Sequence, residues 1–63
     1  MNEMHNRYVA GVTAPKMSTY QGWSPCIVWC QQQFGDRGWW FLGEGVFEFV
    51  NKQDHLMFML RWS

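Results

Sequence analysis

Trp39-Trp40-Phe41-Leu42, then Gly43-Glu44-Gly45, then Val46-Phe47-Glu48-Phe49-Val50 is a pattern that predicts a β-hairpin, and it constrains the rest of the fold. Aromatic and β-branched residues suit a pleated surface, and two glycines supply the positive φ angles of a tight hairpin loop. Alternation along the second strand puts Phe47 and Phe49 on one face and Val46, Glu48 and Val50 on the other. The charge on Glu48 assigns the two phenylalanines to the core. Neighbouring side chains in a strand point to opposite faces, so a regular first strand sends one of Trp39 and Trp40 inward and the other outward.

A helix is expected before the hairpin. Ser24-Pro25 offers a capping hydroxyl and a proline in the first turn, and the helix should run to about Phe34 and stop at Gly35. On a helical wheel Cys26, Ile27, Trp29, Cys30 and Phe34 fall within one arc, with Gln31 and Gln32 turned away. Gly35-Asp36-Arg37-Gly38 reads as a turn into the hairpin. Further upstream, Arg7 to Thr13 reads as a first strand in which Gly11 signals a bulge or a close crossing. Residues 1–6 are polar and expected to be a flexible tail. The connection from Pro15 to Trp23 has no period and is long for so small a domain, which is typical of loops that carry function.

After the hairpin, Asn51-Lys52-Gln53-Asp54 can end a strand and cap a helix, and His55 to Trp62 is almost wholly apolar. Periodicity alone leaves helix and buried strand open for so short a run. A cap from Asn51 or Asp54, followed by good helix formers, favours a helix. The resulting order is β-α-β-β-α, an α+β fold of incomplete split β-α-β (ferredoxin-like) type. Its three-stranded antiparallel sheet packs on two helices in a single domain, and any last strand is reduced to Arg61-Trp62-Ser63 or missing.

At 63 residues the chain has room for one core, and five tryptophans give that core more aromatic surface than so few residues easily bury. A partner or a second copy would cover the remainder. Five basic residues (Arg7, Lys16, Arg37, Lys52, Arg61) balance five acidic ones (Glu3, Asp36, Glu44, Glu48, Asp54) without runs, which argues against a phosphate-backbone or anionic-lipid surface. The apolar stretches Trp39–Leu42 and Leu56–Leu60 fall far short of the ~20 residues that span a bilayer, and the amino-terminal residues lack the apolar core of a signal peptide. Cys26 and Cys30, placed in one helix, are expected to be free thiols. These features together predict a cytoplasmic protein with no membrane partner.

Few residues invite catalysis. Cys26 and Cys30 lie on adjacent turns and, with His5 and His55, would supply four metal ligands, but the spacing is atypical and buried cysteine is common as a core filler. A first-turn Cys26 thiolate with His55 as base is a thiol-catalysis alternative, disfavoured because Cys26 lies on the apolar face. Glu44 sits in a turn and Glu48 points outward, so no carboxylate pair is evident, and no glycine-rich phosphate loop follows the first strand. The expectation is a non-enzyme with no cofactor and no metal.

The pattern of Cys30, Phe34-Gly35-Asp36-Arg37-Gly38, Trp39-Trp40, Phe47-Glu48-Phe49, and Asp54 followed by Phe58-Met59-Leu60-Arg61-Trp62 resembles short uncharacterised open reading frames of tailed bacteriophages, marine ones especially. The similarity covers residues 29–62. It implies a phage origin and therefore a host-cell cytoplasm, but no activity. His55 departs from it, standing where such sequences often have alanine.

Protein binding fits these features best. With Phe47 and Phe49 inward, the outer sheet face carries Val46, Val50 and one tryptophan of the Trp39-Trp40 pair, interrupted only by Glu48; an exposed tryptophan beside valines is typical of an interface, and Trp40 is the one expected to bind. Tyr8, Tyr20 and Trp23 extend the predicted surface toward the first strand and the Pro15–Trp23 loop. The expected partner is a host or virion protein, or a second copy in a homodimer. A competing reading has the outer tryptophan lying flat under Tyr8 or Tyr20. The functional alternative is single-stranded nucleic-acid binding, with Tyr8 and Trp39 or Trp40 stacking on bases.

Overall fold

The computed structural model describes residues 7–16 and 22–62. Strand β1 spans Tyr8–Gly11, helix α1 Ser24–Phe34, strand β2 Trp39–Gly43, strand β3 Val46–Phe49 and helix α2 Lys52–Trp62. The sheet order is β1-β3-β2, with β3 antiparallel to both neighbours. β1 and β2 therefore run parallel to each other with β3 between them, the split β-α-β arrangement expected from the order of elements.

The hairpin is tighter than expected. Glu44 and Gly45 alone form the loop, with φ of 53° and 78°, so both central residues adopt the positive φ that a primed two-residue turn requires. Gly45 is also where chain segments meet. A Cβ there would run into the Val12 carbonyl oxygen and into the Trp23 ring at 2.9 Å. Neither the bulge nor the close crossing expected at Gly11 is found there: Gly11 pairs regularly with Val46 and has open space about it, and the bulge lies instead on β2, between Phe41 and Gly43.

Helix α1 ends as predicted, with Gly35 at φ 77° donating its N–H to Gln31 O at 3.0 Å. Its start differs: Trp23 occupies the cap position without a side-chain hydrogen bond, and Ser24 is already helical. Helix α2 resolves the ambiguity of the carboxyl-terminal run and begins three residues before His55, at Lys52. Asn51 caps it, its Oδ1 accepting the Gln53 N–H at 2.9 Å and its main-chain oxygen accepting the His55 N–H at 3.1 Å. Arg61 and Trp62 belong to this helix and form no strand.

The core is aromatic and continuous. Phe47, Phe49 and Phe58 are fully buried with Cys26, Cys30 and Ala10. Phe58, brought in by α2, lies 4.7 Å from the Phe47 ring and 5.1 Å from the Phe49 ring. Phe41 continues the stack to Phe47 at 4.8 Å, and Phe34 meets Phe49 edge-on at 6.0 Å. Ring pairs at such separations add attraction beyond the area they bury, which helps a chain too short for a large core.

Candidate functional site

With Phe47 and Phe49 inward, the alternate positions of the sheet point away from the helices. Val9, Glu48 and Trp40 stand opposite one another across the three strands. Around this row lie Val46, half-buried, and Val50, exposed just after β3, where its N–H bonds to Gly38 O at 3.0 Å. Trp40 is 41% exposed, Val9 56% and Leu42 57%. Hence four of the predicted residues, Trp40, Val46, Glu48 and Val50, are gathered on one face.

Three others are not. Tyr8 pairs with Phe49 and shares its inward direction, its ring 5.9 Å from that of His55. Trp23 is tied to the inner side of the hairpin: its Nε1–H donates to Val12 O at 2.8 Å and its ring lies 6.1 Å from Phe41. Tyr20, like most of the Pro15–Trp23 connection, lies outside the described residues.

The two tryptophans divide as the alternation requires. Trp39 turns inward and donates its Nε1–H to Gly35 O at 2.8 Å. Trp40 turns outward, and its cover is Arg7 rather than a tyrosine from the described residues. The Arg7 guanidinium carbon lies 4.3 Å from the Trp40 ring centre, while Nη1 donates to Glu48 Oε1 at 3.0 Å. One arginine thus neutralises the only acid, and lies over the only aromatic ring, that the described residues place on this face.

Val9 and Arg7 were not singled out from the sequence, and neither was Leu42, which is exposed at the register shift between Phe41 and Gly43. A second apolar stripe was also missed. Leu56, Met57 and Leu60 are exposed on α2, Leu60 to 87%, because the sheet and α1 take up only Phe58 fully and Met59 and Trp62 in part.

The cysteines are packing groups. Both are free and fully buried. Burial pushes the Cys30 thiol up to about 12, with Cys26 and Asp54 adding to the shift, and burial also raises Cys26 against the opposing pull of Arg61. Such thiols stay protonated and are poor nucleophiles or ligands. His55 is engaged elsewhere, its Nε2–H donating to Val9 O at 3.0 Å. Among the described residues no three of the His, Cys, Asp and Glu side chains come together to hold a metal ion, and His5 lies outside them.

The rings offered for base stacking do not form one platform. Tyr8 and Trp39 flank Phe49 on the helix-covered face, and Trp40 is on the opposite one. No helix among the described residues is long and apolar enough to cross a membrane. No protein-family model matches this sequence, and no curated protein or solved structure is significantly similar to it.

Proposed function

We propose that this protein is an interaction module that docks another protein against the outer face of its sheet, without catalysis. The observation that carries this reading is the setting of Trp40, 41% exposed beside Glu48 on a face that also bears the exposed Val9, and whose charges among the described residues, Arg7 and Glu48, already pair with each other. Tryptophan is the residue most often dominant in binding, and a neutralised apolar surface is inexpensive to desolvate. Burial of both thiols supports binding over thiol chemistry, and one outward ring supports a protein partner over stacked bases. The resemblance to phage reading frames supports a host or virion protein, or the chain itself, as the partner, met in the host cytoplasm.

The test is affinity capture with the wild-type chain and with Trp40→Ala and Val9→Asp, each first confirmed as folded by circular dichroism. Capture of a discrete protein, including further copies of this chain, by wild type and not by the variants is the expected result. Equal capture by all three would overturn the reading.

A further inference from the structure

We draw no further inference here: the strongest candidate, the exposed apolar stripe of Leu56, Met57 and Leu60 on the side of helix α2 turned away from the sheet, is an unpartnered helix face, and nothing in the structure shows what covers it.

Discussion

The Arg7 guanidinium lies over the Trp40 indole, 4.3 Å from its centre, and is held there by a 3.0 Å hydrogen bond to Glu48. The arrangement joins the start of β1 to β3 and β2 on the outer face, which no helix of the described residues covers. The guanidinium also covers part of the outward indole, which remains 41% exposed.

Arg7→Ala should therefore cost little stability. The ion pair is partly exposed and contributes about 0.2–1 kcal/mol, and the cation–π contact about 0.5–1 kcal/mol. Urea unfolding should show a loss within that combined range, smaller at high salt, together with easier quenching of tryptophan fluorescence by acrylamide. A loss beyond about 3 kcal/mol would mean that Arg7 holds the fold rather than the face.

The hairpin loop offers a sharper contrast. Gly45→Ala meets the Val12 carbonyl and the Trp23 ring and keeps an unfavourable φ of 78°, so a loss of more than about 2 kcal/mol is expected. Glu44→Asn, one residue earlier at φ 53°, should be neutral or stabilising by about 0.5 kcal/mol, because asparagine tolerates that conformation better. Thermal unfolding of the two variants side by side checks both.

The buried thiols make stability fall in alkali. In the unfolded chain Cys30 ionises near its ordinary value of 9.0, whereas in the fold it holds its proton up to about 12. Between those values the unfolded state binds fewer protons than the native state, so stability is complete below pH 9 and declines as pH rises toward 12. Cys30→Ala should flatten the decline. A disulfide-exchange reagent at neutral pH should label both cysteines in urea and neither in the native protein.

Legibility differed between local and non-local features. Phe47 and Phe49 were assignable to the core because Glu48 lies between them on a strict alternation. The end of α1 at Gly35 was likewise local. The start of α2 was displaced because the Asn51 side chain caps Gln53, a choice that Asp54 made ambiguous in sequence. Tyr8 could not be placed because its direction depends on its register against Phe49, forty-one positions away. The setting of Trp23 was unreadable for a similar reason, since its ring is held by Val12 and the hairpin. The division of Trp39 and Trp40 was readable, and the expectation that Trp40 is the outward one agrees with the pairing of Trp39 with Phe49, which fixes it.

Fluorine NMR of the chain labelled with 5-fluorotryptophan tests the central claim most directly, with the resonances assigned by single Trp→Phe changes. On titration with the captured partner, or with increasing concentration if the partner is a second copy, the Trp40 resonance should shift or broaden while those of Trp23, Trp29 and Trp62 stay in place. A Trp40 signal unchanged when the chain is fully bound would contradict the assignment of binding to the outer face.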